Sequence, residues 1–333
     1  MDRNAFVQLS TTTRVLEKKL LNRQTFDRLV EAEDLEDALK ILSDSTYQQF
    51  ISKLENPKDY EQALKEEEQS TYEEYYKVCP DKRVVDLLTL KYFYHNLKVL
   101  AKEKILNEDF RHILIDMESF NMDEIIDEIE GKKKYPEKNE CIDAFKRAME
   151  VYEETENPQN IDTVLDKMYF EKLKSLAEEM EVDLFKRYVK DLIDFTNIDI
   201  LLRCQRQERT FSFLSEVLIE GGNISQSDIE QFYSRKIDEQ SPLFKSNNIF
   251  KAVSKGIEEY NQTGSLSMYE KEKDNYFMDL IKEVRGVVYG PEVVFAYLFA
   301  KDMEIKNLRF ILISKENKLN PSFIRERLRD SYV

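Results

Sequence analysis

Seven glycines and seven prolines are very few for 333 residues, and no glycine precedes Gly131. Average usage would put about 40 of the two together in a chain of this length. Glycine supplies the positive-φ turns of hairpins and sandwiches, and proline marks many other turns. Their scarcity excludes a turn-rich β fold and, with abundant Leu, Glu, Lys and Asp, predicts an all-α chain of long helices. The three cysteines, Cys79, Cys141 and Cys204, are odd in number, far apart and without a C-x-x-C, so they read as incidental thiols in a reducing compartment. No apolar h-region follows Met1-Asp2-Arg3-Asn4, so no signal peptide is expected. The most apolar window, Val287 to Ala300, is broken by Gly290, Pro291 and Glu292 and is too short to span a bilayer. A soluble cytoplasmic chain follows as the expectation.

Catalytic equipment is equally sparse. There is no G-x-x-x-x-G-K-[ST] and no G-x-G-x-x-G to bring backbone N–H groups to a phosphate, so no P-loop nucleotide site is expected. His95 and His112 are the only imidazoles, neither sits in H-E-x-x-H, and no G-x-S-x-G elbow offers a nucleophile. Clustered Cys and His for zinc are absent. A carboxylate metal site stays open as an alternative, because Glu108 and His112 lie four apart, although no second copy of that pair exists. The chain is predicted to be non-catalytic and to need no cofactor.

Charge is what the sequence has in plenty: 35% of residues are Asp, Glu, Lys or Arg, against about 25% in ordinary domains. That excess implies much surface per unit of core, as in several thin helical bundles or a hollow shape. The formal net charge of −16 argues against nucleic acid and anionic lipid, whose phosphates would be repelled. It suits a partner with basic patches, though plain solubility is the first reading of such a charge. Glu66-Glu67-Glu68 and Lys132-Lys133-Lys134 read as solvated faces or loops, with docking patches as the other reading.

The chain also repeats itself. His95-Asn96-Leu97-Lys98-Val99-Leu100, Thr196-Asn197-Ile198-Asp199-Ile200-Leu201 and Met303-Glu304-Ile305-Lys306-Asn307-Leu308 look like copies of one helical segment. Counted between Leu97, Ile198 and Ile305 they lie 101 and 107 residues apart. Three helical units are expected, over 1–120, 121–223 and 224–333, each ending in a long apolar-striped helix, a short break and a polar start. The breaks are placed at Asn107-Glu108-Asp109, Gly222-Asn223-Ile224-Ser225 and Asn317-Lys318-Leu319-Asn320-Pro321, with Gly131 to Pro136 as a linker. In the first unit Leu87, Leu90, Tyr94, Leu97, Ala101 and Ile105 keep the three-and-four spacing of an amphipathic helix. Asp34 is placed to cap a helix through Ala38 and Leu42, and Pro291 to open the last long one. Asn96, Asn197 and Asn307 sit on or beside the apolar stripes, where an Asn either bonds nearby backbone and fixes register or faces a partner.

At these residues the chain resembles the C subunit of bacterial and archaeal A/V-type rotary ATPases, the counterpart of the d subunit of the eukaryotic V-ATPase. The similar stretches are Thr13-Arg14-Val15-Leu16-Glu17-Lys18-Lys19-Leu20-Leu21 with Leu35-Glu36-Asp37-Ala38-Leu39, then Tyr94-His95-Asn96-Leu97-Lys98. Phe195-Thr196-Asn197-Ile198 and Leu201-Leu202-Arg203 follow, and last Glu304-Ile305-Lys306-Asn307-Leu308-Arg309 and Ile324-Arg325-Glu326-Arg327-Leu328. The resemblance implies an all-helical funnel of three pseudo-threefold-related domains around a polar cavity. It implies a non-catalytic rotor component between the central stalk, a coiled-coil shaft with its companion, and the cytoplasmic loops of the membrane proteolipid ring. It would transmit torque between ATP hydrolysis or synthesis and H⁺ or Na⁺ movement, on the cytoplasmic face and without a transmembrane segment of its own. Asn96, Asn197, Arg203, Lys306 and Arg309 are the candidate partner contacts, with hydrogen bonding inside the domains as the competing role. A generic helical scaffold or adaptor unrelated to a motor is the rival reading; repeats of roughly 34 to 47 residues would favour it.

Overall fold

Asp34 Oδ1 accepts the Asp37 N–H at 3.0 Å and starts a helix over Leu35–Leu42, as its position predicts. The same device recurs along the chain: Asn22, Asn157, Thr210, Ser225 and Asn320 each cap a helix through a side-chain oxygen. The computed structural model describes residues 1–117, 120–133, 140–235, 237 and 249–333. The fold is all-α: 75% of the chain is helical and the described residues contain no strand.

Among the described residues the α-helices are α1 (Val7–Glu17), α2 (Arg23–Glu31), α3 (Leu35–Leu42), α4 (Gln48–Ile51), α5 (Tyr60–Val78), α6 (Arg83–Leu106), α7 (Met122–Ile129) and α8 (Glu140–Thr155). They continue as α9 (Pro158–Met180), α10 (Asp183–Arg206), α11 (Phe211–Val217), α12 (Gln226–Glu230), α13 (Ile249–Thr263), α14 (Ser267–Lys282), α15 (Pro291–Glu316) and α16 (Pro321–Arg327). Of the expected linker, Lys134, Tyr135 and Pro136 lie outside the described residues, as does Lys134 of the lysine run and the side chain of Cys141.

Helix α15 is the axis of the packing. Every residue from Pro291 through Ile305 is buried, so the helix is enclosed on all sides rather than on one stripe. It touches α1, α3, α5, α6 and α14. Its lower part, Ile305, Leu308, Ile311 and Leu312, shares an apolar cluster with Leu21 to Leu64 of α2–α5 and with Ile324. The N-terminal helices therefore pack on the C-terminal long helix, across the 1–120 and 224–333 stretches. A second cluster joins α6 to α7, α8 and α9, through Leu97, Leu100, Ile125, Phe145 and Ile161. The largest cluster gathers α10, α14 and the first half of α15, with Phe195, Phe277, Phe295 and Tyr188 in edge or tilted ring contacts.

Glu66-Glu67-Glu68 is not a solvated face. Glu67 is buried and meets Lys301 Nζ at 2.7 Å, while Glu68 accepts the Tyr92 hydroxyl at 2.7 Å. Glu67 and Glu68 lie on the side of α5 that packs against α6 and α15, while Glu66 stays part exposed with Lys53 at 3.6 Å.

Candidate functional site

Three asparagines, one on each long helix, hold the chain that returns past them. Asn96 on α6 donates to the Ile115 carbonyl at 2.6 Å and accepts the Ile115 N–H at 2.9 Å. Asn197 on α10 does the same to Ile219, at 2.8 Å both ways. Asn307 on α15 treats Arg329 likewise, at 3.1 and 3.0 Å. All three are 0–1% exposed. A carboxamide carries a donor and an acceptor side by side and so pairs with both polar groups of one residue. An Ala or Leu there would leave both unpaired.

The segments they hold are built alike. Each long helix ends near a non-glycine residue in the left-handed region, Asn107, Glu208 or Lys318 at φ 52–55°, always eleven residues beyond its asparagine. A short helical piece follows: Arg111–Ile113, α11 or α16. It stops at a leucine in extended backbone, Leu114, Leu218 or Leu328, with φ of −65, −62 and −66° and ψ of 142, 143 and 141°. The next residue is the clasped one.

This geometry corrects the register of the third copy. Asn307, not Glu304, is the equal of Asn96 and Asn197, so Leu308 stands where Leu97 and Ile198 stand, and all three are 0% exposed. The mismatch of Glu304 with Asn96 and Asn197, which the alignment on Ile305 creates, disappears. A shift of three residues is nearly one helical turn and keeps the same face inward, so the apolar stripe could not distinguish the two alignments. The second break moves as well, from Gly222 to the region of Glu208, where α10 ends. The leucine that precedes each clasped residue is a signal present in the sequence that the helical stripe does not pick out.

Around the clasps, charged side chains tie helix to helix. On α15, Lys301 lies between Glu67 at 2.7 Å and Glu304 at 2.9 Å, and Glu304 also accepts the Tyr47 hydroxyl at 2.8 Å and the Leu21 N–H. Burial works against the Lys301 charge, but the two carboxylates outweigh it and raise its pKa. Burial pushes the Glu67 carboxyl up, with Lys301 only partly opposing. At the next residue, Asp302 takes the Tyr72 hydroxyl at 2.8 Å and Lys91 of α6 at 3.0 Å. Asp274 of α14 is buried, which alone would raise its pKa, yet Lys306 at 2.5 Å and Arg329 at 2.6 Å hold it below the usual carboxylate range.

Of the candidate contact residues, Asn96 and Asn197 are interior and fully engaged with backbone, the geometry of the register-fixing reading. Arg203 is half exposed, pairing with Asp199 at 2.9 Å. Lys306 and Arg309 keep 38% and 39% of their side chains exposed while bonded to Asp274 and, at 2.8 Å, Glu61. In the corrected register Arg309 stands opposite Lys98 and Asp199, and Lys98 pairs with Asp166 of α9 at 2.6 Å. The structure thus brings Lys306 beside the third clasp and leaves Arg203 and Arg309 on separate helices. Among the described residues no group of three His, Cys, Asp or Glu gathers to hold a metal ion, and no helix is long and apolar enough to cross a membrane.

The chain is similar to known proteins over nearly its whole length. The model of the ATP synthase (C/AC39) subunit family matches residues 9–327. The C subunit of the V-type sodium ATPase of Enterococcus hirae is 25% identical over 326 residues, covering 98% of each chain. The C subunit of the A-type ATP synthase of Methanocaldococcus jannaschii is 23% identical over 347 residues, 98% of this chain and 87% of the relative. That of Methanosphaera stadtmanae is 25% identical over 320 residues, 91% and 82% of the two chains. A triplicated helical chain without a nucleotide loop, matched from end to end in this way, belongs to the ATP synthase (C/AC39) subunit family, as a C subunit of A/V-type rotary ATPases.

Proposed function

We propose that this protein is a non-catalytic rotor part that joins the central stalk to the membrane proteolipid ring and carries torque between them. Three clasped units, taken as pseudo-threefold domains near 1–120, 121–223 and 224–333, would form a funnel, with the N-terminal helices lent to the third. The stalk's coiled coil and its companion enter the wide end; the narrow end rests on the cytoplasmic loops of the ring. The observation that carries this reading is the repeated clasp, which pins each returning segment to its long helix at two points. A coupling piece must hold its parts in place under load, and close-packed interiors with few voids compress little. Buried ties such as Lys301 between Glu67 and Glu304 add fixed cross-links between α5 and α15.

Partner contact is assigned to Arg203, Lys306 and Arg309, and Asn96 and Asn197 act on it through the segments they hold. One stalk, three units and a many-fold ring cannot share a set of identical contacts, so polar contacts that tolerate offsets suit both joints. The test is affinity purification of the assembled complex through a tag on this chain. Stalk proteins and ring should be recovered together, with the stalk released progressively as salt rises, because exposed charge pairs are screened. Recovery of the chain with neither, or with stationary parts of the complex alone, would overturn the assignment.

A further inference from the structure

In a chain of net charge −16, one cavity is lined by a cluster of cations. It measures about 530 Å³ and lies between α2, α14, α16 and the stretch 328–333. Arg23, Lys271, Lys282, Arg285, Arg325 and Arg329 line it, against Asp27, Asp330 and Val333. Part of this charge is already met: Arg325 pairs with Glu31, Arg329 with Asp274 at 2.6 Å, and Lys282 with Asp279 at 3.9 Å. Arg23, Lys271 and Arg285 have no carboxylate partner among the described residues. Lys271 donates to the Glu326 carbonyl at 2.6 Å and Arg285 lies over the Tyr332 ring at 4.9 Å.

We propose that this cavity receives an acidic segment of a partner protein, with carboxylates on either side of an apolar side chain. Three observations select that occupant. The cations come from four separate parts of the chain around a space of ordinary ligand-site size, about 300–1,000 Å³, which is far more than one phosphate fills. The floor, Phe26, Leu328 and Tyr332, is apolar and suits a hydrocarbon or ring edge. Phe26 and Tyr332 are 5% and 4% exposed, and the guanidinium of Arg285 covers the Tyr332 face, so no ring is free to stack a nucleobase. An acidic partner is repelled by the chain's overall charge and attracted at this one place, so attraction and exclusion together set the docking position. The inference stands apart from the rotor assignment, since any acidic partner would serve.

The probe is a fluorescent Leu-Glu-Glu-Phe-Glu-Asp peptide, titrated into the full chain at low salt and read by anisotropy. Saturable binding is expected, weakened at least about tenfold by R23E/R285E, which removes roughly two charge-assisted contacts. K77E/K186E makes the same change in net charge on residues outside the cavity and should leave binding within about twofold. R23Q/R285Q, checked for native helix content by circular dichroism, repeats the test without charge reversal and should also lose binding. Absence of binding, or equal weakening by the cavity and control pairs, overturns the proposal. So does inorganic tripolyphosphate displacing the peptide at lower concentration than an unlabelled copy of it, which would make the cavity a phosphate site.

Discussion

The Asn197 carboxamide holds both backbone polar groups of Ile219 at 2.8 Å, although 22 residues separate them in the chain. Both partners are buried, so water cannot replace the bonds. Asn197→Leu keeps the side-chain volume and strands one N–H and one C=O. Each unpaired buried group costs about 1–3 kcal/mol, so a loss of roughly 3 kcal/mol is expected in urea unfolding. Asn96→Leu and Asn307→Leu should cost a similar amount if the three sites are equivalent. A loss below about 1 kcal/mol at all three would show that the clasps decorate a fold held by apolar packing alone.

Asp86 sits in the first turn of α6, half-buried, and its carboxyl has no hydrogen-bond partner among the described residues. Burial, with the Asp81 charge adding to it, pushes its carboxyl up to about 6. Because the folded pKa lies above that of the unfolded chain, the contribution is complete below about pH 4 and is lost as pH rises through about 6. At pH 7 the ionised group therefore destabilises the fold, by about 1–2 kcal/mol once the favourable helix N-terminal dipole is allowed for. Asp86→Asn should raise stability at pH 7 and leave it nearly unchanged at pH 4. Thermal unfolding at the two pH values checks the sign; equal shifts at both would remove the carboxyl from the explanation.

Much of this architecture is legible in the sequence, and what is hidden is hidden for definable reasons. Asp34 and Pro291 mark helix starts because caps act within one turn, and the stripe through Leu87, Leu97 and Ala101 needs only local spacing. The register of the third copy is ambiguous because a three-residue slip preserves the buried face. Only the backbones of the clasped residues Ile115, Ile219 and Arg329 are held, so their own side chains can differ and the leucine before each is the one mark they share. The interior position of α15 is masked by Lys301, Asp302 and Glu304, which read as surface until Glu67, Lys91 and Tyr47 are brought beside them. Arg203 and Arg309 are equivalent in neither register, since Arg203 falls opposite Phe310 in the slipped alignment and Ile313 in the corrected one.

Lys301 lies between two buried carboxylates, Glu67 and Glu304. Lys301→Met keeps an unbranched apolar side chain, one atom shorter, and leaves both acids facing each other without a counter-charge. Breaking a buried pair from one side costs about 3–5 kcal/mol, and that loss is expected at neutral pH. It should shrink as pH falls, because protonating Glu67, whose carboxyl burial already pushes up, removes part of the uncompensated charge. K301M/E67Q/E304Q should recover much of the loss at pH 7. A pH-independent loss would assign the effect to packing against the Tyr47 ring, over which Lys301 Nζ lies at 4.8 Å.

Gly256 tests how closely two helices must approach. It lies in the middle of α13, where replacing Gly by Ala ordinarily stabilises a helix by about 1 kcal/mol. Here an added Cβ would stand 2.4 Å from Tyr269 Cα and 2.6 Å from its backbone nitrogen. Neither atom belongs to a side chain that could turn away, so α13 and α14 would have to separate. Tyr269 is itself fixed, with its ring fully buried and its hydroxyl on the Phe195 carbonyl at 2.7 Å, so separation would also loosen the tie to α10. Overpacking of this kind costs about 1–3 kcal/mol, which reverses the sign expected from helix propensity. Gly256→Ala should therefore lower the unfolding midpoint, and Gly256→Ser should lower it further. A stabilised Gly256→Ala would mean that the two helices stand farther apart in solution, and that α14 is held by its aromatic contacts to α10 rather than by this close crossing.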